Sequence, residues 1–373
     1  QKWRVRAISR LLGEPHTSRD IALSGEAADQ RRVADERLLS HYGEVLNITA
    51  RFREGHVHPQ WSRMLNFDCT MEYLWIRQFA TRSYSPEAFR ATFGGRVPVF
   101  VWWSAVKHAG PTARILYRAV WKVLLRVFQR GARVGITYIT LSDLDDGPLY
   151  EPIDDTAQSL RDIPNLIVLG ASHGHVPIPL LRCESLLFRP VASFQGVLPA
   201  SGGRAFYVAA LGSTAYGQSP AALAATRRAV AQQLPSLFAE LGAVPEAWLL
   251  AGGQRVLLGH IENWVDVMVA SRFCVVARGE GRSAFMLAEA VQLGGCLPIY
   301  IWSDAEWLPY GGLASFESFG ISIPVGRLHE LPARLRDISN MEYERMRSQM
   351  HAARYFYTPE GGLHVIADWL AGR

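Results

Sequence analysis

Lysine is nearly missing from this chain. Lys2, Lys107 and Lys122 are the only three, although Lys and Arg together number 39 in 373 residues. The net charge of +5 therefore rests on arginine. Such a balance suits a phosphate-bearing ligand or an acidic glycan, and it also fits the codon bias of a GC-rich genome. No Lys/Arg run longer than the pairs Arg31-Arg32 and Arg227-Arg228 occurs, which argues against nucleic acid as a partner. Cysteine is scarce as well. Cys69, Cys183, Cys274 and Cys296 form no C-x-x-C, which excludes a zinc knuckle. Cys274 and Cys296 fall in apolar runs and are expected as core residues, while Cys69 and Cys183 are free to pair in an oxidising compartment. Asparagine occurs five times, yet one copy opens the glycosylation sequon Asn47-Ile48-Thr49. No run of eighteen apolar residues is present, so no membrane-spanning helix is expected. Residue 1 is Gln rather than Met, and the expectation is that the original start has been removed, together with any signal or anchor.

What is present is a large apolar fraction, 49%, with 20% charged residues, as in a globular chain with a sizeable core. Residues 1–67 are polar, arginine-rich and weakly patterned, and are expected to form an N-terminal stem or extension. From residue 68 helical and strand patterns alternate. CTMEYLWIRQFA (69–80) sets Met71, Leu74, Trp75 and Phe79 on one helical face. SPEAFRATF opens a helix with Ser85 as cap and Pro86 in its first turn. VPVFVWW (97–103), VGITYITL (134–141) and NLIVLG (165–170) are continuous apolar runs, the pattern of strands covered on both faces. ARILYRAVWKVLLRVFQRG (113–131) is an amphipathic helix expected to stop at Gly131. Pro199, Gly202 and Gly203 mark a break. A second series follows, with a strand at 205–212, a helix opened by Ser219 and Pro220 and closed at Gly242, and a strand at 247–253. The expected fold class is α/β, with two Rossmann-like parallel domains, 68–200 and 201–373.

FCVVARGEGRSAFMLAEAVQLGGCLPIYIW, residues 273–302, is the most informative stretch. It reads as strand, loop, helix, strand. Ser283 is expected to cap the helix, and Gly294-Gly295 to end it. A helix N-terminus exposes N–H groups and partial positive charge, which favours an anion. Arg278 and Arg282 add donors suited to phosphate. In an open α/β sheet the ligand lies beyond the carboxyl ends of the strands, where this loop falls. Gly279-x-Gly281 lacks the third glycine of a dinucleotide fingerprint, which makes a nicotinamide enzyme a distant reading. The plain alternative is an ordinary strand–helix turn with solvated arginines, and with Glu289 as a surface carboxylate.

Two further clusters carry chemistry. Asp143-Leu144-Asp145 is a D-x-D after a strand; hard carboxylates there suit Mg or Mn bridging the phosphates of a sugar nucleotide, as in a metal-dependent GT-A transferase. The plain alternative is an acidic turn that caps a neighbouring element. His173 and His175 form an H-x-H with no third ligand apparent, and are expected as loop histidines near the cleft.

In Phe273-Cys274, Arg278-Gly279, Glu289-Ala290, Gly295-Cys296 and Pro298, the chain resembles the C-terminal signature of the exostosin family, glycosyltransferase family 47. The likeness extends to Leu308-Pro309-Tyr310 and GISIPV. It reaches back to MEYLWIRQFATRSYSPEAFRATFGGRVPVFVWW and to ITLSDLDDG, where Asp145 and Gly147 stand in register and Leu144 replaces a His. It departs where the family has Ser-x-Arg, since Ala284-Phe285-Met286 stands there and Ser283 lies one position early. The resemblance covers roughly residues 68–355.

The resemblance implies a GT-B fold, two Rossmann-like domains facing a cleft. It implies an inverting transferase that moves a sugar from a UDP-sugar to a hydroxyl of a glycan or glycoprotein, with no cofactor or metal required. Arg278 is then the diphosphate partner, with Gly279, Gly281, Arg282 and Ser283 in support and Glu289 as the ribose ligand. Asp145 is the candidate base. The Golgi lumen is the implied location, as a type II membrane protein whose anchor is absent from this chain, and a dimer with itself or a relative is compatible. The lost Ser-x-Arg leaves a second reading, a non-catalytic exostosin-like subunit that stabilises an active partner.

Overall fold

A computed structural model describes residues 25–53, 70–107, 113–143, 163–181, 206–211, 221–239, 248–251, 254–259, 264–278, 281–310 and 315–371. Several helices begin where a short polar side chain takes up an otherwise unused N–H. Helix α1 is Gly25–Ile48. Helix α2 is Met71–Trp75, opened by Thr70, whose side chain accepts from Tyr73 N at 3.3 Å. It runs on as a π-helical turn, Ile76–Ala80. Helix α3 is Pro86–Phe93, capped by Ser85 Oγ at 3.2 Å from Ala88 N, as its sequence indicates.

The first sheet holds β1 (Val97–Pro98), β2 (Tyr138–Ser142), β3 (Leu166–Gly170) and β4 (Val176–Pro177), in that spatial order and all parallel. The strand expected over 97–103 is short. The chain leaves the sheet after Val99, whose amide donates to Ile139 O at 2.8 Å, and the Trp102 amide donates to Phe52 O at 3.0 Å. Trp103–Lys107 then forms α4. Helix α5, Ala113–Arg133, crosses to β2 and passes through Gly131 rather than ending there. Tyr138 lies against Gly131 where a Cβ would project, so this glycine is a packing residue.

The second sheet begins with β5 (Phe206–Leu211) and α6 (Ala221–Ala239). A hairpin follows, β6 (Trp248–Ala251) and β7 (Gln254–Gly259), the one antiparallel pair in the sheet. Helix α7 (Trp264–Val269), β8 (Ser271–Ala277), α8 (Phe285–Leu293) and β9 (Leu297–Trp302) come next, then β10 (Ile321–Pro324). Strand order is β10-β9-β8-β5-β7-β6. The chain works outward from β5 on both sides, so the carboxyl ends of β5 and β8 flank the point where connections reverse. Helices α9 (Leu331–Asp337), α10 (Asn340–Ala353) and α11 (Pro359–Ala371) close the fold.

One hydrophobic core joins the two sheets. Tyr42 of α1 and Phe52 lie in it, so residues 25–53, within the expected extension, share the core of the rest. Helix α11 packs on α2 and α3. Arg96 Nη1 donates to Leu370 O at 3.3 Å. Gly94 ends α3 with φ 60°, and the Leu370 carbonyl stands where its Cβ would be. The break expected near 190–204 lies outside the described residues. Among the described residues, no helix is long and apolar enough to cross a membrane.

Cys274 and Cys296 are core residues as expected, both fully buried, and they are also paired, which the sequence reading did not anticipate. Their Cα atoms are 5.6 Å apart and a disulfide joins them, tying β8 to the start of β9. Neighbouring parallel strands bring the two sulfurs together, which linear spacing does not reveal. Cys69 and Cys183 lie outside the described residues. With a sequence separation of 22, this link should contribute roughly 3 kcal/mol by restricting the unfolded chain. The C274A/C296A protein is expected to unfold at lower urea by that amount, read against the wild type with and without reductant.

Candidate functional site

Strand β8 ends at Ala277, but the ladder reaches one residue further, since Arg278 N donates to Ile301 O at 3.2 Å. That bond fixes Arg278 at the carboxyl edge beside the reversal point. Its side chain is buried, with the residue 4% exposed, and it donates through Nη1 to Asp304 Oδ1. Arg282 grips the other oxygen: its Nε donates to Asp304 Oδ2 at 2.9 Å and its Nη2 lies 2.8 Å away. The Arg282 guanidinium sits 5.5 Å from the centre of the Trp307 ring, and Tyr300 OH donates to the Arg282 carbonyl at 2.6 Å. Arg227, from α6, donates to the Arg278 carbonyl at 3.2 Å. Burial pushes the Asp304 carboxyl up, but the Arg282 hydrogen bond and the charges of Arg278 and Arg282 outweigh it and hold the group below the usual range.

Helix α8 starts beside this cluster. Its cap position is Ala284, with no side-chain hydrogen bond, so Ser283 does not cap the helix as expected. Ser283 is 3% exposed, and its Oγ has no hydrogen-bond partner among the described residues. Its amide donates to Ser172 Oγ, 3.2 Å away in the loop after β3. Trp307 Nε1 donates to Gly170 O at 3.2 Å. These two bonds join the loop at the end of β3 in the first sheet to the start of α8 and to Trp307 beside the second.

Two buried carboxylates lie at the end of β2 and in the first turn of α2. Glu72 is fully buried; its Oε2 accepts from Ser104 N at 2.8 Å and its Oε1 from Asp143 N at 2.8 Å. Asp143, at the end of β2, accepts in return from Glu72 N at 2.9 Å. Burial, and then the nearby Asp143 charge, raise the Glu72 carboxyl to about 8, against the opposing pull of the Ser104 and Asp143 amides. Tyr310 is close enough to feel the Asp143 charge. It is buried, with φ 58°, a left-handed conformation that non-glycine residues rarely take. Gly362 leaves the room that the Tyr310 hydroxyl occupies.

No family model matches the chain. Over 84 residues it is 31% identical to a protein of Arabidopsis thaliana named "probable glycosyltransferase". The stretch is 22% of this chain and 17% of the plant protein, so the chain matches under a fifth of that relative's length.

The expected site residues distribute unevenly. Arg278, Gly281, Arg282 and Ser283 come together at the start of α8, while Gly279 lies outside the described residues. Glu289, one turn into α8, is 1% exposed, so it is an interior group and not a surface carboxylate. Asp145 lies outside the described residues. Asp143 is an acidic turn that caps a neighbour, since it takes the Glu72 amide in the first turn of α2. His175 Nδ1 accepts from Val168 N at 2.9 Å, which makes it a loop-holding residue. No group of three or more His, Cys, Asp or Glu poised to hold a metal occurs among the described residues. Arg227, Asp304, Trp307 and Glu72 were not legible as site residues. Asp304 follows the apolar run that ends at Trp302, and a charge directly after a parallel strand was the available signal.

Proposed function

We propose that this chain is a glycosyltransferase of exostosin type with a GT-B fold, moving a sugar from a UDP-sugar to a glycan hydroxyl with inversion. The observation that carries the reading is the start of α8, with Ala284 at its cap position, beside Arg282 and the buried Arg278 at the carboxyl end of β8. The limited similarity to a probable glycosyltransferase supports it. The departing nucleoside diphosphate gains negative charge as the glycosidic bond breaks, and these donors are aimed where that charge develops. In this reading Arg278 and Arg282 hold the phosphates and the Ser283 hydroxyl supplies a further bond. Glu289 takes the ribose hydroxyls. The acceptor enters from the first-sheet side, within a domain of residues 68–200 that faces a nucleotide domain of 201–373. Asp145 remains the candidate base, and no cofactor enters the scheme. The Cys274–Cys296 disulfide supports an oxidising compartment such as the Golgi lumen.

Two other readings differ in testable ways. A non-catalytic subunit is favoured by Ala284-Phe285-Met286 in place of Ser-x-Arg. A metal-dependent transferase built on Asp143 is disfavoured, because that carboxylate already serves the start of α2. UDP at a hundred times its Kd should stabilise the folded protein by about 2.7 kcal/mol, with ADP and GDP well behind and EDTA without effect. Glu289→Ala is expected to weaken the UDP shift about tenfold in affinity. Loss of the shift in EDTA favours the metal reading, and no shift with any nucleotide favours the non-catalytic subunit.

A further inference from the structure

The arginines that the proposed function assigns to the donor phosphates already hold an anion supplied by the chain. One carboxylate, Asp304, is shared between them, with Oδ1 on Arg278 and Oδ2 on Arg282. Exposure within the trio is lopsided. The Arg278 side chain is 5% exposed and that of Arg282 is 14%, while that of Asp304 is 45% exposed. The cations are fixed from behind. The ladder bond to Ile301 holds Arg278, and Tyr300 and the Trp307 ring hold Arg282. Asp304 instead approaches from the solvent side, on the segment that follows β9. Donors remain beyond those it satisfies. Arg278 Nε and Ser283 Oγ are buried with no hydrogen-bond partner among the described residues.

We propose that Asp304 sets the affinity of this site: it is an internal stand-in for the phosphates of the donor and yields its place when a diphosphate binds. The inference rests on the donor-site reading above. Two guanidinium groups against one carboxylate leave a net positive charge at the site. A diphosphate brings more charge and more acceptor oxygens than Asp304, so it can satisfy both arginines and the unused donors together. The displaced carboxylate turns to water at little cost, because it is already half exposed and such pairs contribute weakly. While the site is empty, Asp304 keeps the buried Arg278 charge compensated and its side chain in place. After transfer, return of Asp304 to the arginines assists release of the nucleoside diphosphate.

The test is calorimetric titration of the full chain, wild type and Asp304→Asn, with UDP and separately with inorganic pyrophosphate. Asn keeps the shape and removes the competing charge. Tighter binding of UDP by the variant, about fivefold or more, is the expected result. Equal or weaker UDP binding by Asp304→Asn overturns the role of Asp304 while leaving the donor reading intact. Tighter pyrophosphate binding with no UDP binding by either protein supports Asp304 as the internal anion and sinks the nucleotide reading. Binding of neither ligand to either protein overturns both. Should Asp304→Asn fold poorly, the carboxyl carbon of Asp304 is followed by NMR in the wild type. Saturating pyrophosphate should return its pKa to the ordinary aspartate range, and an unchanged pKa in the ligand-bound protein overturns the exchange.

Discussion

Methionine in place of Arg278 should weaken UDP binding about a hundredfold at almost no cost in stability. The binding loss follows from the removal of one or two charge-assisted bonds to phosphate in a site where the cation is 4% exposed and water cannot replace it. Stability is spared for two reasons. The methionine side chain fills the space of the arginine stem, and the Asp304 left behind keeps Arg282 and its contact with water. Lysine at the same position keeps the charge and loses the planar fork, so it should fall between, about tenfold weaker. Arg345→Met is the control: Arg345 pairs with Glu342 on the exposed face of α10, and its loss should leave UDP binding unchanged. Calorimetric titration at low salt measures all three. An Arg278→Met protein that binds UDP as the wild type does removes this arginine from the anion site.

Stability should fall as pH rises, through a window set by Glu72. Its carboxyl ordinarily titrates near 4.5 and is raised to about 8 in the folded protein, by burial first and then by the Asp143 charge. A carboxyl raised in this way binds its proton more tightly folded than unfolded. Its stabilising effect is therefore complete below about pH 4.5, declines as pH rises, and is gone above about pH 8. At about 1.4 kcal/mol per pH unit the loss over the window is of the order of 5 kcal/mol. Glu72→Gln removes the titration. Gln can accept only one of the Ser104 and Asp143 amides through its oxygen, so the variant should be about 1–3 kcal/mol less stable than wild type at pH 5. It should reach or pass wild type at pH 8. Urea unfolding at several pH values measures the two slopes. Parallel slopes would mean that Glu72 is ionised throughout.

Much of the fold was legible because local chemistry and tertiary demand agree. Ser85 and Pro86 start α3, Gly294 ends α8, and the run around Leu166–Gly170 is a strand covered on both sides. The misses have physical causes. VPVFVWW carries strand-forming residues at every position but Pro98, yet Trp102 bonds to Phe52 and the chain turns into α4, a choice made by contacts remote in sequence. The β6–β7 hairpin was readable in principle, since Gly252-Gly253 between apolar runs is a turn signal. The candidate site was half legible. Arg278 and Arg282 follow a strand and precede a helix, a local pattern. Asp304 and Arg227 belong to other elements, and only the sheet order brings them to the same strand end. Glu72 in turn reads as a helix surface residue until β2 and α4 deliver the Asp143 and Ser104 amides to it.

The packing of α11 bears on how the chain reaches its native state during synthesis. Arg96 bonds to the carbonyl of Leu370, 274 positions later, and its guanidinium lies 5.4 Å from the Trp369 ring. Part of the cover of α2 and α3 therefore waits until α11 has been made and docks, while α1 and the neighbouring aromatic side chains supply the rest earlier. Early folding is limited to local helices and the first parallel strands, and the slow step is the closure of a very long loop. Phe89 and Phe93, both fully buried in the finished fold, already have Tyr42, Trp75, Phe79 and Tyr84 as ring neighbours from the early part of the chain. The last helix thus completes the cover of a core that the early helices begin.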